Sequence, residues 1–144
     1  AIRQNVEYMN QLNQLYSYIQ LPVKLTNQNA HSELYVLTNK KRLGEKNGAF
    51  TALLHLDMEV LGSMDVYITM EKKKVSAKFY LQREEIAEFM ESHSEPLIKQ
   101  LEEKGFLVKA GFEKKPEEKD MVEEFTGSQK DEQVMSKYSF DIRT

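Results

Sequence analysis

Three runs in the middle of the chain alternate apolar and polar residues with a period of two, and no other feature restricts the fold as much. Phe50, Ala52, Leu54, Leu56 and Met58 alternate with Thr51, His55, Asp57 and Glu59. Met64, Val66, Ile68 and Met70 alternate with Asp65, Tyr67, Thr69 and Glu71, and Val75, Ala77, Phe79 and Leu81 with Ser76, Lys78, Tyr80 and Gln82. Successive side chains of a strand point to opposite faces, so each run carries one apolar and one polar face. The pattern predicts an antiparallel meander with one side on a core and the other facing water or a partner. Only Leu53 breaks the period. Gly62 relieves the corner "EVLGSMDV" between the first two runs.

The flanking segments read differently. Ile2, Val6, Met9, Leu12, Tyr16 and Ile19 recur at spacings of three and four, the stripe of an amphipathic helix over residues 1–20 that ends before Pro22. "SELYVLT" is a short strand, followed by a turn containing "NKKR". Glu84 to Lys104 reads as one long helix with the stripe Ile86, Phe89, Met90, His93, Leu97 and Leu101. Pro96 should kink or restart it, with Ser94 as the cap, and Gly105 should end it. "FLVKAGF" is a last strand. The expected fold is therefore α+β: an N-terminal helix, an antiparallel meander, a long kinked helix packed on the sheet, a final strand and a flexible charged tail.

The tail, residues 114–144, is charged and poor in aliphatic residues until "VMSKYSFDIRT". Such composition cannot repay the entropy of ordering, which predicts mobility over residues 114–133. The ending is either a docking motif or a terminal strand paired with the body. Truncation after Glu113 is expected to leave the melting temperature nearly unchanged.

Composition narrows the function classes. At 144 residues the chain suits one domain with a body over residues 21–113. It has no cysteine, so a disulfide framework, a cysteine-ligated zinc site and a thiol nucleophile are excluded. A net charge of −3 offers none of the basic excess that phosphate contacts demand of a nucleic-acid binder. "NKKR" and "KKK" (Lys72 to Lys74) read as solvated turns. No window approaches the roughly 18 apolar residues of a membrane helix, so no membrane insertion is expected.

The best catalytic candidate is His55, Asp57 and Glu59 on one strand face, which suggests a metal-dependent hydrolase as the alternative reading. The three lie in a line, where metal ligands must converge. Glu84, Glu85, Glu88 and Glu91 read as a solvated helix face, His93 as a half-buried structural histidine, and His31 as a loop residue. No catalytic group, metal or cofactor is expected. A generic scaffold or adaptor domain is a further alternative.

The ordered run "ALLHLDMEVLGSMDVYITMEKKKVSAKFYLQREEIAEFMESHSEPLIKQLEEKGFLV" resembles the C-terminal domain of flagellar hook-length control proteins, in their Clostridia-type branch. The family has an alternating strand, Pro-Glu-x-Leu-Gly, two further alternating strands, a helix with "LxxxLxxxG" and a final strand. Leu54, Leu56, Leu61, Gly62, Val66, Ile68, Val75, Phe79, Leu97, Leu101, Gly105 and Leu107 stand in the matching places. The resemblance spans roughly Leu21 to Glu113 plus the last few residues. Met58 stands where the family has proline, so the entry to the corner differs.

The resemblance implies a non-catalytic switch. Its partner would be the cytoplasmic domain of the flagellar type III export-gate switch protein, and contact would change export from hook-type to filament-type substrates. It further implies a cytoplasmic protein that is itself exported through that apparatus, with a length-measuring N-terminal region missing from this chain. A monomer is expected. The candidate contact residues are the corner, Leu61, Gly62, Met64 and Val66, and the C-terminal Tyr138, Phe140 and Ile142. Alternation places Met64 and Val66 equally well in the core.

Overall fold

A computed structural model describes Val23 and residues 26–39, 50–129 and 133–143. The expected leading helix and all of the "NKKR" turn but Asn39 lie outside these residues. Six strands form one mixed sheet: β1 (Ala30–Asn39), β2 (Phe50–Met58), β3 (Gly62–Glu71), β4 (Lys74–Leu81), β5 (Leu107–Lys114) and β6 (Gln133–Ile142). Their order is β5-β4-β3-β2-β1-β6. All neighbours are antiparallel except β4 and β5, which are parallel. Parallel neighbours need a long crossover. Here it carries two short helices, α1 (Glu84–Ser92) and α2 (Glu95–Glu103). A third helix, α3 (Met121–Gly127), connects β5 to β6.

The alternating runs fill the first face of the sheet. Leu34 and Val36 of β1, Leu54 and Leu56 of β2, Met64, Val66 and Ile68 of β3 and Val75 of β4 are all buried there. They form one core with Ile86, Ala87 and Met90 of α1, Leu101 of α2, Phe106 and Ile142. Phe79 stacks on Phe112 across the parallel pair, ring centroids 4.6 Å apart. Lys72 adopts φ +57 in the tight β3–β4 turn, and the neighbouring Lys73 ammonium sits over the Phe106 ring. The lysine turn thus packs as well as solvates.

Four expectations on the fold are corrected. The long kinked helix is two short ones. The chain breaks at His93 and Ser94, where the Ser94 hydroxyl donates back to the Glu91 carbonyl at 2.7 Å instead of capping α2. Of the expected stripe, Ile86, Met90 and Leu101 are buried, but Phe89 is 42% exposed, and His93 is exposed, donating from Nδ1 to the Phe89 carbonyl at 2.9 Å. The sheet is mixed and six-stranded, not a meander plus one strand. Finally, the charged tail is part of the fold, because α3 packs on the sheet and β6 pairs with β1 over its whole length.

Local chemistry explains the ends of these elements. Gly105 takes φ +92 after α2. Its N–H donates to the Glu102 carbonyl, and the Phe106 N–H reaches the Leu101 carbonyl. That pair of bonds is a Schellman cap, with Phe106 and Leu101 both buried beside it. Asp120 caps α3 by accepting the Glu123 N–H at 3.1 Å.

α3 covers part of the second face. Met121 and Phe125 bury Leu53, Tyr35 and Leu37, and Phe125 meets Tyr67 edge-on at 6.1 Å. This accounts for Leu53, the residue that breaks the alternation: it is fully buried, beneath a helix.

Candidate functional site

Met58 pairs with Gly62, leaving Glu59, Val60 and Leu61 as a three-residue hairpin loop. Such loops need a left-handed residue at their end. Gly62 supplies it at φ +82, and a Cβ there would lie 2.1 Å from Gln82 Oε1. The loop is held from outside by the segment before β1. The Gln28 side chain, itself buried, accepts the N–H groups of Val60 and Leu61 at 2.8 and 3.1 Å. It is steadied in turn by Thr26. Glu59 donates its N–H to the Asn29 carbonyl at 3.1 Å, while its carboxylate accepts from the Asn29 backbone and side chain, each at 3.3 Å. The loop therefore presents one apolar side chain outward. Val60 is 66% exposed, Leu61 packs against the core, and Met64 and Val66 are completely buried.

Of the C-terminal candidates, Ile142 lies beside this corner, and Tyr138 stands four residues away along β6, opposite Leu34. β1 runs between β2 and β6, so its first residue, Ala30, faces Met58 on one side and Ile142 on the other. Tyr138, Phe140 and Ile142 share the first face: Ile142 is buried, Phe140 packs on the core, and Tyr138 is 43% exposed. Two segments some 80 residues apart in sequence thus meet at one end of the sheet. Between them runs a groove of about 340 Å³ lined by Asn29, His31, Asp57, Glu59, Asp141 and Arg143.

Charge at that end is paired. His31 Nδ1 donates to Asp141 at 2.7 Å, with Glu33 3.7 Å from Nε2. The Asp141 bond, chiefly, raises the His31 pKa, and the same bond lowers that of Asp141. Tyr35 donates to Glu33 at 2.7 Å. Burial and that carboxylate push the Tyr35 phenol up to about 12.

A second polar cluster occupies the second face. Asp65 is completely buried; its Oδ1 accepts from His55 Nδ1 at 2.6 Å. Its Oδ2 has the Lys115 ammonium 2.9 Å away, an ion pair that falls short of a well-directed hydrogen bond. Burial works to raise the Asp65 pKa, but the His55 and Lys115 contacts outweigh it and the net shift is downward. The Asp65 bond raises His55 despite its partial burial. A wide polar cleft of about 780 Å³ opens here, between the sheet and the segment Lys114 to Asp120.

The hydrolase grouping comes apart in this arrangement. His55 Nε2 lies 3.3 Å from Asp57, but Glu59 sits in the hairpin loop and bonds Asn29. Among the described residues no group of His, Asp and Glu side chains is arranged to hold a metal ion. Sequence reasoning missed Gln28, Val60 and Lys115. Val60 carried a usable signal, an apolar residue at the tip of a glycine-ended turn. Gln28 and Lys115 carried none, because their partners are remote in sequence.

The family model "Flagellar hook-length control protein FliK" matches residues 38–117. No curated protein and no solved structure matches the chain. The matched span runs from the end of β1 through the whole crossover to just past β5.

Proposed function

Since the chain belongs to the flagellar hook-length control family, we propose that this domain is the non-catalytic switch that ends hook growth. It contacts the cytoplasmic domain of the export-gate switch protein, and export passes from hook-type to filament-type substrates. The observation that carries this reading is the meeting of the β2–β3 corner with the end of β6 across Ala30. A contact surface needs an apolar anchor within a polar rim. Val60 is such an anchor, and His31, Glu59, Asp141 and Arg143 supply the rim. Met64 and Val66 support the corner from within, because a completely buried side chain cannot touch a partner without opening the core. Tyr138 is exposed on the first face, opposite the face that carries His31 and Asp141, and stands outside this surface. The protein acts on the cytoplasmic side and is itself exported by the type III apparatus.

In cells, Val60→Asp should give overlong hooks without filaments while protein levels stay normal. Normal filaments in that strain would remove the corner from the mechanism.

A further inference from the structure

α3 rests on the second face in an unusual way. It has seven residues, below the length at which a helix is stable by itself. Among the described residues no hydrogen bond or ion pair joins Met121–Gly127 to the sheet. Its hold is apolar: Met121 and Phe125 are buried one helical turn apart over Leu53, Tyr35 and Tyr67, and Val122 packs half-buried against the same cluster. Its polar ties to the sheet flank it: Lys115 and Asp65 upstream, and the Gln129 amide, which donates to the Gln133 carbonyl of β6 at 3.1 Å, downstream. Beside the covered patch the same face is open and carries two lysines, with Glu113 next to them opposite Tyr80. Lys78 lies opposite Tyr67 on one side and Gly111 on the other, and Lys109 stands two residues along β5; all three of Lys78, Lys109 and Gly111 are exposed.

We infer that this patch is a second docking groove, occupied in cis by α3, and that it takes an acidic amphipathic helix from a partner once α3 swings away. α3 itself defines the chemistry of the occupant. It inserts apolar side chains at i and i+4 and turns Glu123 and Glu124 outward. A longer helix of that pattern would keep both anchors and set carboxylates against Lys78 and Lys109, which α3 leaves unused. The short helix then acts as a plug that keeps Leu53 and Tyr67 from water until the partner arrives. The inference is independent of the corner and of the partner proposed for it.

The probe is a fluorescent peptide of residues 116–129, added in trans to the full chain. Phe125→Asp removes one anchor from the plug and leaves the main core intact, which a melt verifies. This variant should bind the peptide at least tenfold more tightly than the wild type. A peptide carrying Met121→Asp and Phe125→Asp should not bind. Adding Lys78→Glu and Lys109→Glu should weaken the binding of an otherwise identical peptide extended by one acidic turn. Hydrogen exchange on the wild type gives a readout that needs no variant: amides of α3 should exchange through local opening while those of β2 stay protected. Equal peptide affinity for variant and wild type, or α3 amides that exchange only on global unfolding, would overturn the inference. A wild-type dimer formed by exchange of α3 would make a second copy the occupant and would overturn it as well.

Discussion

The two faces of the sheet are built on different terms. The first is a continuous apolar surface, with Leu34, Leu54, Met64, Val66 and Ile68 closed over by neighbours from several elements. The second is divided: a small apolar patch under one short helix, and a polar end organised by a buried aspartate. Strict alternation built the first face. The second depends on exceptions to alternation, and each exception marks a place where something lands. The fold therefore has one face that sets stability and another with room for exchange.

The harshest test of this contrast is removal of residues 114–144, which strips a helix from the second face and a strand from the sheet edge. Loss of the buried Met121, Phe125 and Ile142, at about 1.5–3 kcal/mol each, costs about 5–9 kcal/mol. That is comparable with the whole stability of a domain this size. Urea titration should find the truncated chain largely unfolded. A melting temperature near that of the full chain would mean the tail is peripheral, as its composition suggests.

Matched leucines sharpen the comparison. Leu54 and Leu53 are adjacent, both completely buried, and point to opposite faces. Leu54→Ala opens a cavity between a rigid sheet and several packed elements and should cost about 3–5 kcal/mol. Leu53→Ala lies under a helix free to settle into the gap, so about 2–3 kcal/mol is expected. Equal losses in denaturant titrations would contradict the distinction. Gly62→Ala should follow at about 1–2 kcal/mol, the cost of a left-handed conformation for a residue with a Cβ.

The polar end predicts a pH dependence of smaller size. His55 has a raised pKa when folded, so its contribution is complete below the unfolded value near 6.5 and is lost as pH rises through the folded value. Asp65 has a lowered pKa, so its contribution is present above about 3.9 and is lost as pH falls through the folded value. Thermal melts across pH should show a plateau between these limits. Asp65→Asn should flatten both slopes and bring His55 back toward its ordinary titration, read by NMR.

Periodicity and turn chemistry made much of this legible. The strands Phe50–Met58 and Gly62–Glu71, the corner glycine and the Gly105 cap all follow from residues close in sequence. The tail was misjudged because its composition outweighed its pattern. "DMVEEF" holds a helix start, with Asp120 three residues before Glu123 and apolar residues at 121 and 125. "VMSKYSFDI" alternates as a strand. Both order only because they meet the sheet, a tertiary gain that local composition does not register. The proposed contact surface was half legible for a related reason. Alternation marks Met64 and Val66 as apolar without saying which side of them is covered. The clamp by Gln28 joins residues more than thirty positions apart.

Surface substitutions should barely alter stability, and Val60→Asp is the mildest in that sense, within about 0.5 kcal/mol. Its effect belongs to binding. Calorimetric titration of the full chain with the cytoplasmic domain of the export-gate switch protein, wild type against Val60→Asp, is the most direct test that the sheet end at Ala30 is the contact surface. Loss of a central apolar anchor should weaken binding at least about tenfold, or about 1.4 kcal/mol, with the melting temperature unchanged. Undiminished affinity in a folded Val60→Asp chain would contradict the account.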